Sequence, residues 1–155
     1  MVNVKPKTRI VMTMEGIGTS HSRTDLDVRG IPMIIDEPEE RGGTNKGQSP
    51  TETMVAALIG CTNVITHKVA HMHDIEISDL HVTVEATFDR RGVILQKEVD
   101  VPFPAMNIII DLTTAASEED FAKVQDDLPK FCPVSKVIEQ SGTEITTVWN
   151  VSRPN

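Results

Sequence analysis

The fold of this 155-residue chain is decided by residues 49–71, SPTETMVAALIGCTNVITHKVAH. Ser49 is a favourable N-cap, Pro50 suits the first helical position, and Glu52 completes a capping box. Apolar side chains then recur three, four or seven residues apart, which is the period of one helical face. They are Met54, Leu58, Cys61, Ile65 and Met72. The stretch predicts a helix of roughly 30 Å, at 1.5 Å per residue, with Cys61 on its apolar stripe.

Strand patterns lie on both sides of this helix, and two shorter helices follow it. Strands are predicted at residues 9–14, 26–28, 31–35, 80–88, 93–101, 106–112 and 144–151, and further helices at 117–129 and 133–140. A glycine-rich polar loop at residues 39–48 precedes the long helix. Strands interrupted by helices, without regular alternation, indicate an α+β fold. We find no repeat and no linker, and we expect one domain over residues 1–155.

Composition excludes several classes of protein. The formal net charge of −8 argues against sequence-independent nucleic-acid binding, which needs clustered Lys and Arg. The start of the chain has no apolar core of signal-peptide length, and we expect no membrane span because no run approaches about 18 apolar residues. A cytoplasmic protein is predicted, in which cysteines are normally reduced and a disulfide is transient and catalytic.

The two cysteines, Cys61 and Cys132, are 71 positions apart and meet only if the fold brings them together. Cys132 comes directly before Pro133, at a predicted helix start. Unpaired backbone N–H groups and the helix dipole favour a thiolate there. Burial in the middle of a helix should instead raise the pKa of Cys61. Local sequence therefore predicts Cys132 to be the more activated thiol.

The two cysteine motifs resemble those of a known family. Residues 47–62, GQSPTETMVAALIGCT, look like the first cysteine helix of the OsmC/Ohr family, and residues 131–135, FCPVS, look like its second cysteine motif. The order of predicted elements also matches, so the resemblance covers nearly the whole chain. It implies an OsmC-like fold, in which antiparallel sheets surround a long central cysteine-bearing helix, and an intertwined homodimer.

The resemblance further implies a thiol-dependent peroxidase of organic hydroperoxides, an antioxidant enzyme of the stress response. Cys61 would be the peroxidatic nucleophile and Cys132 the resolving thiol, because a sulfenic acid beside a thiol closes to a disulfide. An external dithiol, lipoyl or of low molecular weight, would reduce that disulfide. Thr51, Met54, Leu58 and Ile65 are candidates for the peroxide pocket. No metal, nucleotide or other cofactor is expected.

One position departs from the family pattern. The resemblance implies an arginine from the amino-terminal strands, held by a glutamate ten residues before the helix cysteine, where this chain has Thr51. Glu52 is adjacent, but nine residues at 100° each place it on the opposite side of the helix from Cys61, so we interpret it as a capping residue. The candidate activating arginines are Arg23, Arg29 and Arg41.

Two other functions stay open at this point. The first is an OsmC-like small-molecule-binding protein without efficient peroxidase activity, and the second is a structural dimer with both cysteines in the core. A metal site is less favoured. His67 and His71 are four residues apart, with His73 close behind, but Lys68 stands where a catalytic glutamate would follow His67, and no third ligand is evident.

Overall fold

The computed structural model describes residues 8–154 and divides the chain into two compact units. The first ends at Thr53 and contains the strands β1 (Glu15–Gly18), β2 (Arg23–Val28) and β3 (Ile31–Asp36), followed by a 3₁₀ turn at Glu39–Arg41. The helix α1 (Pro50–Met72) begins there and continues into the second unit. That unit holds β4 (Ser78–Thr87), β5 (Ala105–Thr113), α2 (Glu118–Phe131), α3 (Pro133–Gln140) and β6 (Glu144–Ser152). The predicted α+β class is confirmed. The single domain over residues 1–155 stays a prediction.

The first sheet is antiparallel, in the order β1-β2-β3. β2 and β3 form a hairpin whose two turn residues, Arg29 and Gly30, have φ values of 61° and 78°, which suit the twist of the strands. The Gly30 N–H donates to Asp27 Oδ1 at 2.8 Å and holds the turn.

The glycine-rich loop after β3 is tied to the last residue of that strand. Asp36 is fully buried, and its Oδ2 accepts hydrogen bonds from the hydroxyl and the N–H of Thr44 and from the N–H of Lys46. These bonds, the Thr44 hydroxyl first among them, hold the pKa of Asp36 below its usual value. A Cβ atom at Gly43 would lie 1.6 Å from the Glu37 carbonyl oxygen, so the loop needs glycine there.

The prediction of a strand at residues 9–14 is wrong. The strand instead covers residues 15–18, because Glu15 to Gly18 pair with β2.

The prediction of a strand at residues 93–101 is also wrong. Hydrogen bonds from the Ile94 N–H to the Arg90 carbonyl and from the Leu95 N–H to the Gly92 carbonyl close a turn there. Leu95 has a φ of 57°, and its side chain is exposed. The backbone of this segment thus forms turn hydrogen bonds instead of the strand pairing that its apolar residues predict.

The second sheet is mixed and has β5 at its centre. β4 pairs with β5 antiparallel, and β6 pairs with β5 parallel, with Ile108 opposite Thr147 and Ile110 opposite Trp149. Alternate residues of β5 face the core and are buried, as their period of two predicts. These are Met106, Ile108, Ile110 and Leu112.

The long helix packs against this core as predicted, although the buried face is more polar than expected. Its buried residues are Leu58, Thr62, Thr66, Val69 and Ala70. By length and composition α1 would be able to cross a membrane. It is a core helix of this fold, however, because its buried face belongs to the same hydrophobic cluster as β5.

The start of α1 has the predicted capping box. The Ser49 N–H donates to Glu52 Oε2 at 2.8 Å, and the Glu52 N–H donates back to Ser49 Oγ at 3.4 Å. The bond from the Ser49 N–H, and after it a bond from the Ser49 hydroxyl to Glu52 Oε2 at 2.8 Å, lower the pKa of the Glu52 carboxyl.

Cys132 separates α2 from α3. The residue before a proline is kept out of the helical region, and Cys132 accordingly has φ −76° and ψ 105°. Its N–H donates to the Leu128 carbonyl at the end of α2, and its carbonyl accepts from the Lys136 N–H at 3.1 Å in α3. Backbone hydrogen bonds therefore tie Cys132 to both helices at their junction.

Candidate active site

The fold brings the two cysteines into contact. The Sγ atoms of Cys61 and Cys132 lie 3.2 Å apart, with the Cys132 thiol as the donor, and both cysteines are free. Cys132 is only 1% exposed, whereas Cys61 is partly exposed on α1. The pair therefore has an accessible sulfur on the long helix and a buried sulfur behind it.

The environment of Cys132 reverses the expectation from local sequence. Its sulfur does accept backbone N–H groups from Ser135 and Val134, as expected at a helix start. Burial nevertheless outweighs these bonds, and the neighbouring Cys61 adds to its effect, so the pKa of the Cys132 thiol is raised to about 11. The prediction that Cys132 is the more activated thiol is therefore wrong. At neutral pH Cys132 is a protonated hydrogen-bond donor.

This arrangement suits a reaction that ends in a disulfide. A sulfenic acid formed on Cys61 would meet a thiol already in contact with it, without movement of either helix over a long distance. Condensation to a disulfide would then compete well with further oxidation of the sulfenic acid.

A sequence comparison identifies the family. The profile of the family described as OsmC-like protein matches residues 43–148, which include both cysteines. The chain belongs to the OsmC-like protein family. The resemblance seen in the two cysteine motifs is thus confirmed. No curated protein sequence matches this OsmC-like chain significantly.

Solved structures share the fold of this OsmC-like chain at low sequence identity. An OsmC-like protein from Mycoplasma pneumoniae is 16% identical, with a TM-score of 0.71 over 92% of this chain and 96% of that one. An organic hydroperoxide resistance protein OsmC from Legionella pneumophila is 18% identical, with a TM-score of 0.59 over 93% and 99%. A putative organic hydroperoxide resistance protein from Vibrio cholerae, with captopril bound in one of its active sites, is 14% identical, with a TM-score of 0.61 over 94% and 95%.

The candidate pocket residues have varied surroundings. Leu58 is fully buried, and Met54 and Ile65 are partly buried and pack against the core cluster around it. The Thr51 hydroxyl lies 3.4 Å from Ser49 Oγ, at the capped start of the helix. The role of these four residues as a peroxide pocket stays a prediction.

The three candidate arginines belong to the first unit. Arg23 on β2 forms a two-point ion pair with Asp25, with bonds of 2.6 and 2.8 Å, and this contact raises the pKa of the guanidinium. Arg41 pairs with Glu37 at 2.7 Å. Arg29 lies in the β2–β3 turn. Which of them activates Cys61 stays open.

A cavity of about 340 Å³ borders Cys132 in the second unit, and sequence reasoning did not predict it. Its walls come from α2, α3, Thr62 of α1 and the faces of β5 and β6 that carry Ile108, Ile145, Thr147 and Trp149. The period-two pattern of residues 145, 147 and 149 could have indicated one shared face of the strand. The packing of α2 against that face could not be predicted from spacing.

Two of the histidines on and after α1 have hydrogen-bond partners. His67 Nδ1 bonds to the Asn63 carbonyl of its own helix, and His73 Nε2 lies 2.9 Å from Asp127 Oδ2 on α2. Within residues 8–154 no group of three or more potential ligands from His, Cys, Asp and Glu comes together.

Proposed function

We propose that this protein is a thiol-dependent peroxidase that reduces organic hydroperoxides as a cytoplasmic homodimer. The observation that carries the proposal is the 3.2 Å contact between a partly exposed Cys61 and a buried, protonated Cys132. Membership of the OsmC-like family supports it, and relatives of the same fold are described as organic hydroperoxide resistance proteins.

The reaction would proceed in three balanced steps. The Cys61 thiolate attacks the terminal oxygen of the hydroperoxide, the O–O bond breaks, and a proton completes the alcohol, leaving Cys61 as a sulfenic acid. The Cys132 thiol then attacks the Cys61 sulfur and expels water, which forms the Cys61–Cys132 disulfide. An external dithiol supplies two electrons and restores both thiols.

Replacement of each cysteine tests this proposal. Cys61→Ser should abolish consumption of cumene hydroperoxide in the presence of a dithiol. Cys132→Ser should allow a single turnover, after which Cys61 over-oxidises because no thiol resolves it. Peroxide consumption and the intact mass of the protein measure these two outcomes. A wild type that consumes no cumene or fatty-acid hydroperoxide with any dithiol would refute the proposal.

The activating cation is part of the same proposal. Arg23, Arg29 and Arg41 each carry the required charge, and Thr51 stands where the family implies a glutamate to hold it. Replacing each arginine with glutamine and following the rate of Cys61 oxidation would identify the one that contributes.

A small-molecule-binding protein is the second candidate function. Thr51 favours it, since a site without the implied glutamate would attack peroxides slowly. The cavity beside Cys132 would then hold the ligand. Trp149, the only tryptophan in the chain, lines that cavity and would report binding by its fluorescence. Inert thiols together with a saturable change in that fluorescence would favour binding over catalysis.

A further inference from the structure

Only one of the two cysteines of the thiol pair lines the cavity in the second unit. Cys132 lines the cavity between α2, α3 and the second sheet, and so does Thr62 on α1, whereas Cys61 is not among the lining residues. Cys61 is nevertheless the more exposed of the two, so it has access to solvent from elsewhere. A peroxide that reaches Cys61 therefore need not pass through the cavity behind Cys132.

The chemistry of disulfide reduction also distinguishes the two sulfurs. A thiolate attacks one sulfur and expels the other, and a leaving thiol of high pKa leaves slowly. Attack on Cys61 would expel Cys132, whose pKa is raised to about 11 by burial. Attack on Cys132 expels Cys61 first and defers the departure of Cys132 to the second exchange, in which the other thiol of the bound reductant attacks within the mixed disulfide.

The cavity has the size and lining expected for a small polar reductant. Its volume of about 340 Å³ falls within the range of ligand pockets, roughly 300–1,000 Å³. Gln125, Ser135 and Thr147 contribute polar groups beside Cys132. Pro129 also lines it, and because proline has no N–H, the Gln125 carbonyl loses its usual helical donor.

We propose that this cavity is the entry site for the reducing thiol, which attacks Cys132 and releases Cys61. The inference rests on the proposed peroxidase function. The incoming thiolate forms a mixed disulfide with Cys132, and Cys61 leaves as a thiolate, ready for the next peroxide. The second thiol of the reductant then displaces Cys132, which takes up a proton, and the reductant departs as a cyclic disulfide.

The charge of the cavity selects the class of thiol. Among the described residues that line it, Glu139 alone carries a formal charge at neutral pH. The negative charge of the whole chain acts in the same direction. Neutral and cationic thiols should therefore reduce the disulfide faster than anionic thiols of similar acidity.

The sulfur that is attacked can be identified in the wild type. The oxidised protein is mixed with 2-mercaptoethanol, quenched in acid and alkylated, and the tryptic peptides are weighed. We expect the mercaptoethanol adduct on residues 131–136, which contain Cys132, and the alkyl group on residues 47–68, which contain Cys61. The reverse distribution would overturn the inference. Failure of peroxide to form any Cys61–Cys132 disulfide would instead refute the proposed function, and a disulfide made with diamide would still test the site of attack.

Cavity variants provide a second test. Thr147→Phe fills the cavity and should slow reduction of the preformed disulfide by roughly tenfold, about 1.4 kcal/mol in activation free energy. It should leave the rate of disulfide formation unchanged. Val148→Phe, on the opposite face of β6, is the matched control and should affect neither step. Equal reduction rates in the two variants would contradict the proposal.

Removal of the carboxylate tests the selection by charge. Glu139→Gln should raise the rate of reduction by 2-mercaptoethanesulfonate relative to 2-mercaptoethanol by about three- to tenfold at low salt. Glu119→Gln, an exposed position on α2 outside the cavity lining, should leave that ratio unchanged. An unchanged ratio in Glu139→Gln would show that the reducing thiol does not pass this carboxylate.

Discussion

Cys132 shows how burial and helix position compete at a single sulfur. The N–H groups of Ser135 and Val134 lower its pKa, but burial first and then the contact with Cys61 raise the pKa by more than those N–H groups lower it. The result is a thiol that keeps its proton at neutral pH and donates a hydrogen bond to Cys61. The protonation of Cys132 follows from the depth of the site and not from its local sequence.

The raised pKa of Cys132 makes a prediction for stability in alkali. The folded thiol holds its proton up to about pH 11, whereas the unfolded thiol loses it near pH 9. The contribution of this thiol to the free energy of unfolding is therefore fully present below about pH 9 and is lost as the pH rises to about 11. We expect a loss of about 2 kcal/mol across this window.

Urea denaturation of the wild type and of Cys132→Ala at a series of pH values would measure this contribution. The packing lost in Cys132→Ala lowers the free energy of unfolding equally at every pH. The ionisation of Cys132 is therefore measured by how the difference in unfolding free energy between the two proteins changes with pH. A constant difference from pH 9 to 11 would contradict the assignment.

At the scale of elements, α1 is defined at its start by side-chain capping and along its length by packing. The reciprocal bonds of Ser49 and Glu52 satisfy backbone N–H groups that the first turn leaves free. The helix then places Leu58 and Thr62 in the buried core, with Cys61 beside them. A change in the cap should therefore weaken the helix without altering the chemistry of the thiol pair directly.

A double-mutant cycle at the cap tests this separation. Ser49→Ala should lower the free energy of unfolding by about 1 kcal/mol, because it removes the cap acceptor. Glu52→Gln should cost less, and the two changes should be coupled by roughly 0.5 kcal/mol or more.

Chemical denaturation gives the energies for this cycle, and the rate of disulfide formation by peroxide serves as the control. Additive effects would show that the two side chains act independently. A large loss of peroxide reactivity in Glu52→Gln would show that Glu52 has a role beyond capping.

At the scale of the whole molecule, several apolar side chains are exposed on the single chain. On α1, Val64 is 48% exposed and Met72 is 52% exposed, on a helix whose other face belongs to the core. Met72 was expected on the buried stripe, and its exposure leaves it available to a second copy. An intertwined dimer around the central helices, as the family resemblance implies, would cover such residues.

We therefore expect the protein to sediment at twice the monomer mass at micromolar concentration. Val64→Glu should shift it toward monomer, since the dimer would have to bury an unpaired carboxylate. Val64→Ala is the matched control and should weaken the dimer much less. A wild type that sediments as a monomer would remove the basis for the homodimer.

Local signals in the sequence were sufficient for most elements. The cap at Ser49, the pre-proline break at Cys132 and the alternation in β5 each act over a few residues, so they can be read without tertiary contacts. The two cysteine motifs are also short, local stretches of sequence, and they were sufficient to indicate the family. The errors at residues 9–14 and 93–101 arose where strand pairing and turn hydrogen bonds, rather than apolar content, decide the backbone.

Contacts between distant residues decided the rest. A 3.2 Å approach of Cys61 to Cys132, 71 positions away, cannot be derived from either motif alone. Nor can the pKa of Cys132 or the cavity beside it, because both depend on which atoms surround the sulfur. The sequence identified the two candidate thiols, and only the tertiary structure decided which of them is buried and protonated, since burial is a property of the packed chain.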